Sequence, residues 1–202
     1  MMHPVVVAIT GASGVVYGLR TLEILMQLKI PVHLSISESG RQVLFHEEQL
    51  EFDLDNFKLQ ALFPGKELNS PEVHYHHYKD FMTPIASGSH RTSAMVVCPC
   101  SGSTLAGIAS ASNSNLIQRA AEVHLKEKRR LVLVPRETPL SLLQIQNLEK
   151  VARAGATVLP ASPGFYHGAK SISDMVDFIV ARILDQLGID NSLITRWGSD
   201  AS

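Results

Sequence analysis

The stretch PVVVAITGASGVVYGLRTLEILM, Pro4–Met26, decides the fold. Pro4 to Thr10 is a near-continuous apolar run, the pattern of a parallel strand covered on both faces. GASG (11–14) follows as a turn, and Val15, Leu19, Leu22 and Met26 then recur at helical spacing. Strand, glycine turn and amphipathic helix in that order open a βαβ unit, so the next strand should lie parallel to the first.

Working outward, the same alternation continues. PVHLSIS (Pro31 to Ser37) reads as a second strand, with a helix starting near Glu38. AMVVC (Ala94 to Cys98) is a third strand, followed by the small-residue helix STLAGIASAS and the helix LIQRAAEVHLKEK. LVLV from Leu131 is a fourth strand, and Thr138–Pro139 behind it looks like an N-cap with proline in the first helical turn. SLLQIQNLEKVARAG ends on Gly155 as a C-cap, and ATVLP is a fifth strand. The last clear helix runs from Ser171 to about Leu187, with Ile172, Met175, Val176, Ile179, Ile183 and Leu187 on one face. Alternation of this kind implies an α/β fold: one three-layer, doubly wound parallel sheet of the Rossmann or flavodoxin-like kind, flanked by helices. A single domain over 1–202 is expected, with an irregular excursion at about 48–86 and a C-terminal tail from about 188.

The totals narrow the function. A chain of 202 residues with net charge −1 and 18% charged residues is not a general nucleic-acid or membrane-surface binder. No apolar run approaches the ~18 residues that span a bilayer, and MMHPVVVAIT shows neither a basic region nor a cleavage site. Cys98 and Cys100, in CPC, lie too close for an easy disulfide and lack the second pair a metal site would need. A cytoplasmic setting is the simplest expectation, and no metal is expected.

In such a sheet, ligands bind outside the carboxyl ends of the strands. GAS (11–13), Ser37, PCSGST (99–104), PRE (135–137) and SPGFYHG (162–168) should therefore converge. GASG suits backbone amides aimed at an anion at a helix N-terminus, or a plain strand-to-helix turn. Gly11, Gly14 and Gly18 do not have dinucleotide-fingerprint spacing, and Ser37 stands where a ribose-binding acid would be. Tyr75 to Lys79 matches a dehydrogenase Tyr-x-x-x-Lys pair by count only. SGST (101–104) can bond a phosphate or a heterocycle edge, or can be an N-cap with spare serines. Arg119 and Lys126 share a helix face about 10 Å apart, either as phosphate ligands or as a ladder through Glu122. Arg182 either pairs with Asp185 or serves a ligand. Tyr166 is an aromatic on a crevice loop. His74, His76 and His77 resemble metal ligands but lack a carboxylate pattern. Glu47, near the end of the second helix, is expected to face solvent.

Taken together, ITGASGVVYGLR, SISESGRQVL, ASGSHRTSAMVVCPCSGSTLAGIA, NLIQRAAEVHLKEKRRLVLVPRETPL, PASPGFYH and RILDQ resemble the UbiX-type flavin prenyltransferases. The resemblance covers most of the chain in order and leaves mainly 48–80 unmatched. It implies binding of reduced FMN and dimethylallyl phosphate, joining the five-carbon unit to flavin N5 and C6. The prenylated FMN would serve a UbiD-type decarboxylase, commonly in ubiquinone biosynthesis. The family's usual assembly is a homo-dodecamer with sites at subunit boundaries.

By the same resemblance, Gly11, Ala12, Ser13, Ser37, Ser101, Gly102, Ser103, Thr104 and Arg119 hold FMN. Lys126, Arg136, Tyr166 and Arg182 match the dimethylallyl-phosphate pocket, with Ser87 nearby and Trp197 approaching from the tail. Glu137 matches the acid/base, and Glu47 with Ser13 a pair assisting chemistry at N5. The residue types suit the reaction: cations stabilise a departing phosphate, and a base must accept a proton from C6. Two other readings are an FMN-dependent cysteine-type decarboxylase of the related superfamily and a non-enzymatic flavin carrier. The absence of histidine between His3 and His33 counts against the first, and the clustered cations with Glu137 against the second.

Overall fold

The computed structural model describes residues 3–68, 72–165 and 168–195. Twelve regular elements follow in order: β1 (Val5–Ile9), α1 (Val15–Gln27), β2 (Val32–Ile36), α2 (Glu38–Glu48), β3 (Val73–Tyr75), β4 (Ala94–Cys100), α3 (Gly102–Ala109), α4 (Leu116–Lys126), β5 (Arg130–Pro135), α5 (Leu142–Arg153), β6 (Thr157–Val158) and α6 (Ile172–Leu187). The strands form one parallel sheet in the order β3-β2-β1-β4-β5-β6. This is the doubly wound arrangement expected from the apolar runs, with its switch point between β1 and β4.

Alternate residues of each strand feed opposite cores. Val5, Val7, Ile9, Leu34, Val96 and Val134 pack with Leu22, Leu25, Ile179 and Ile183 of α1 and α6. Val6, Ala8, Met95, Val97 and Leu133 pack with Leu105, Ile117, Ala120 and Val151 of α3, α4 and α5. Fully burying one such side chain contributes roughly 1.5–3 kcal/mol, so this periodicity outweighs any local propensity.

Several expectations need correction. Among the described residues there are six strands: HYHH does not lie wholly in a loop, because Val73, His74 and Tyr75 pair with Val32, His33 and Leu34. β3 escapes a periodicity reading because it is three residues long and half-exposed at the sheet edge. β4 runs on to Cys100, and β6 is only Thr157–Val158. Thr138 does not cap α5. Ser141 does, in a reciprocal capping box with Gln144, and Thr138–Pro139 is a cis peptide bond. A residue before proline is pushed out of the α region, whereas Ser141 satisfies a first-turn amide directly. Ile172, expected on the buried face of α6, is 79% exposed, and it sits at the first position of the helix. Gly155 follows the α5 cap residue Ala154 with φ 105°.

Candidate functional site

Hydrogen bonds tie the carboxyl ends of β1, β2, β4 and β5 into one rim. Thr10 Oγ1 donates to the Pro99 carbonyl at 2.7 Å and accepts from the Ser101 amide at 2.8 Å. The Ser37 amide donates to the Ile9 carbonyl at 3.0 Å, and Arg136 Nε to the Ser13 carbonyl at 3.2 Å. GAS, Ser37, PCSGST and PRE therefore converge as the topology requires, although they are far apart in sequence.

The turn after β1 differs from an open anion cradle. Gly14 is the N-cap of α1 with φ 97°, a left-handed conformation that favours glycine, and no side chain on its own strand-turn caps the helix. Glu47, reaching across from α2, does so instead. Its carboxylate accepts from the Gly14 amide at 2.9 and 3.2 Å and from the Val15 amide at 3.1 Å. The anion at this helix N-terminus is thus the protein's own carboxylate, one residue from Ser13. Although Glu47 is exposed, as expected, its carboxylate is engaged. Gly11 is held closely as well: a Cβ there would clash with the Ser39 Cβ.

Two of the hydroxyls expected at the flavin are N-caps. Ser37 accepts from the Gly40 amide at 3.0 Å. Ser101 accepts from the Thr104 amide at 3.3 Å and lies 3.2 Å from Ser103 Oγ and 3.0 Å from Thr104 Oγ1. The N-cap reading of SGST is therefore met by Ser101, with the Ser103 and Thr104 hydroxyls beside it. This donor set of hydroxyls, backbone amides and one guanidinium fits a phosphorylated mononucleotide at the switch point.

Arg136 and Glu137 point apart. Glu137 accepts from the Thr138 amide at 3.1 Å and from Gln144 Nε2 at 3.2 Å. The Gln144 Oε1 accepts from the Ser141 amide at 2.9 Å, so its amide is oriented with the nitrogen towards Glu137. A Cβ on Gly102 would lie 3.2 Å from that same nitrogen, which places Gln144 between the α3 and α5 N-termini. Sequence reading missed Gln144; the S-x-x-Q capping signature was its only local signal.

The expected phosphate ligands on α4 and beside it find partners of their own. Arg119 Nε donates to the Ala86 carbonyl at 3.1 Å, and Arg119 pairs with Glu122 at 2.7 Å. Lys126 pairs with Glu127 at 3.1 Å rather than with Glu122, so only half of the charge ladder forms. Ser87 Oγ lies 2.9 Å from Ser89 Oγ, in the same segment. Arg182 pairs with Asp185 at 2.9 Å. It stands towards the end of α6, which Arg130 pins to the start of β5 through the Leu187 carbonyl at 3.0 Å. That is the edge opposite the rim, so one chain by itself does not bring Arg182 to Arg136. Tyr166 and Trp197 lie outside the described residues.

Burial pushes the Cys100 thiol up to about 12 and raises Cys98 further, so neither is a nucleophile. Among the described residues, no group of three or more His, Cys, Asp or Glu is arranged to hold a metal ion. No described helix is long and apolar enough to cross a membrane.

Comparison with known proteins agrees with this geometry. The Flavoprotein family matches residues 1–184. A flavin prenyltransferase UbiX of Halalkalibacterium halodurans is 45% identical over 194 residues, spanning 96% of this chain and 93% of that protein. The crystal structure of AnUbiX (PadA1) in complex with FMN and dimethylallyl pyrophosphate is 39% identical, with a TM-score of 0.86 over 98% of this chain and 99% of that one. A dodecameric FMN-dependent UbiX-like decarboxylase from Escherichia coli O157:H7 is 34% identical, with a TM-score of 0.84 over 97% of this chain and 100% of that one. The peptidyl-cysteine decarboxylase EpiD, at 15% identity and a TM-score of 0.59, shares the fold alone. Motif, topology and relatedness over nearly the whole chain agree, and the chain belongs to the UbiX flavin prenyltransferase family of flavoproteins.

Proposed function

We propose that this protein transfers a dimethylallyl unit from dimethylallyl phosphate to N5 and C6 of reduced FMN. The observation that carries the reading is the rim itself, where Arg136 closes onto the Ser13 carbonyl with Glu47 and Glu137 on either side. When bound, FMN supplies the nucleophilic N5 and C6 that accept the five-carbon unit. The chain supplies the rest. Ser37, Ser101, Ser103 and Thr104 offer hydroxyls to the flavin nucleotide, with Gly11, Ala12 and Gly102 allowing close approach. Glu47, anchored on the Gly14 and Val15 amides, orients Ser13 beside the N5 position. Arg119 holds FMN and, with Arg136, Lys126 and Ser87, stabilises the phosphate as it departs, an electrostatic role aimed where negative charge develops. Glu137, steadied by Gln144, receives the C6 proton.

The contacts of Arg119, Lys126 and Arg182 are with residues outside the rim, which supports a site completed by neighbouring copies. Tyr166 and Arg182 would come from adjacent subunits of a homo-dodecamer, and Trp197 from a tail. Its product, prenylated FMN, would pass to a UbiD-type decarboxylase.

Anaerobic incubation with reduced FMN and dimethylallyl phosphate, followed by mass spectrometry of the bound flavin, tests the reaction. A mass increase corresponding to one five-carbon unit is expected, and recovery of unmodified FMN alone refutes it. Glu137→Gln should bind FMN as the parent does and lose product formation; turnover near that of the parent would remove Glu137 from the acid/base role.

A further inference from the structure

β2 turns Val32, Leu34 and Ile36 to the α1/α6 core, which leaves His33 and Ser35 on the opposite face. The irregular residues between β3 and β4 fold back over it, and a chain of imidazoles makes the contact. His33 Nδ1 lies 2.8 Å from His76 Nε2, and His33 Nε2 lies 3.0 Å from His90 Nε2. The His74 ring stands 5.7 Å from His33, centre to centre. His33 is only 6% exposed.

The covering segment is the one that seats the phosphate cluster. Besides Ser87, it supplies the Ala86 carbonyl to Arg119 and the Gly88 and His90 carbonyls to Arg129, at 2.6 and 2.7 Å. Its far end is held by Thr92, whose Oγ1 lies 2.9 Å from His124 Nε2 and accepts from Arg129 at 3.3 Å. We propose that His33, His76 and His90 are positioning residues that hold segment 83–92, and with it Ser87 and Arg119, in the geometry that receives the phosphate of the prenyl donor. The proposal rests on the reading of Ser87, Arg119 and Lys126 as phosphate ligands.

Proton counting makes the hold conditional. Each N···N contact needs one proton, so three neutral rings satisfy both contacts with His33 donating one way and accepting the other. One added proton is still accommodated, because a doubly protonated His33 can donate both ways. A second cannot be: it sets N–H against N–H. The groups facing the relay do little to offset such charge. His74 is a further imidazole and Arg129 a guanidinium, and among the described residues Asp80 is the carboxylate acting on His76. Burial and the neighbouring imidazoles hold His33 down to about 4, so acid should open this contact steeply rather than gradually.

The test compares the full-length parent with His90→Gln, whose amide can bond His33 but cannot titrate. Hydrogen exchange of the peptide covering 83–92, corrected for intrinsic rates, should rise at least ~10-fold in the parent between pH 7 and pH 5 and rise less in the variant, which keeps His33 and His76 but has one titrating ring fewer. The KM for dimethylallyl phosphate should rise on acidification more steeply in the parent than in the variant, with kcat changing alike in both. The variant comparison cancels titration of the donor phosphate itself, which occurs near pH ~6. Equal exchange profiles for parent and variant overturn the proposal. Divergent exchange with parallel KM profiles overturns the phosphate assignment of Ser87 and Arg119 while leaving the histidine hold intact. His76→Gln provides the same comparison should His90→Gln fail to fold.

Discussion

Glu47 offers a sharp test of how the rim is held, because a residue on α2 caps α1. Glu47→Ala removes the acceptor for the Gly14 and Val15 amides, and Gly14 has no side chain to replace it. A lost N-cap costs about 1 kcal/mol, and the lost anion at the helix N-terminus a further ~0.3–1 kcal/mol. At this exposed position the sum is about 1.5 kcal/mol. With a urea slope of about 3 kcal/mol/M for a chain of this size, the unfolding midpoint should fall by about 0.5 M. Glu47→Gln keeps one oxygen acceptor and loses the charge, so its midpoint should fall by about a third as much. Exchange of the amides in the first turn of α1 should quicken in the same order. The assay is urea unfolding of parent, Gln and Ala variants at one protein concentration, with exchange read on peptides spanning 14–18. An Ala midpoint equal to the parent's, or Gln and Ala variants falling equally, would refute the capping role. If capping also orients Ser13, both variants lower kcat more than they weaken FMN binding.

Two other expectations follow from single contacts. Gln144→Glu preserves the capping box with Ser141 but sets a like charge against Glu137. Product formation should then change while FMN binding does not, because the group steadying Glu137 has been replaced by a like charge; turnover equal to the parent's would separate Gln144 from Glu137. Acid stability should also follow the buried histidines. His33 and His124 are held down to about 4, mainly by burial, against about 6.5 in an unfolded chain. The unfolded state therefore binds their protons first, so their contribution is complete above about 6.5 and is lost as pH falls towards 4. Apparent melting temperatures should drop through that window, and a flat profile would contradict the buried neutral state.

Much of the architecture was legible in the residues. Runs such as Pro4 to Thr10 and LVLV are buried on both faces, so their apolarity is uninterrupted, and the spacing in α1, α4 and α6 is nearly regular. The elements that escaped notice were those with little core to bury. β3 is three half-exposed residues whose pairing with β2 comes from distant chain. The α5 start was misplaced because Thr138–Pro139 mimics a helix opening locally, and the competition with Ser141 is settled by which hydroxyl meets a first-turn amide.

The candidate site divides along the same line. Motifs along the chain were enough to expect Ser13, Ser37, Ser101 and Arg136 at one rim, because parallel pairing follows from hydrophobic burial, which is periodic and local. They could not show that Glu47 caps α1, that Gln144 touches Glu137, or that His33 is strung between His76 and His90. Those contacts depend on where side chains from separate elements meet, at spacings of 33, 43 and 57 residues for Glu47–Gly14, His33–His76 and His33–His90. Hydrogen bonds are short-ranged and directional, so only the folded arrangement of the elements decides which donors find which acceptors.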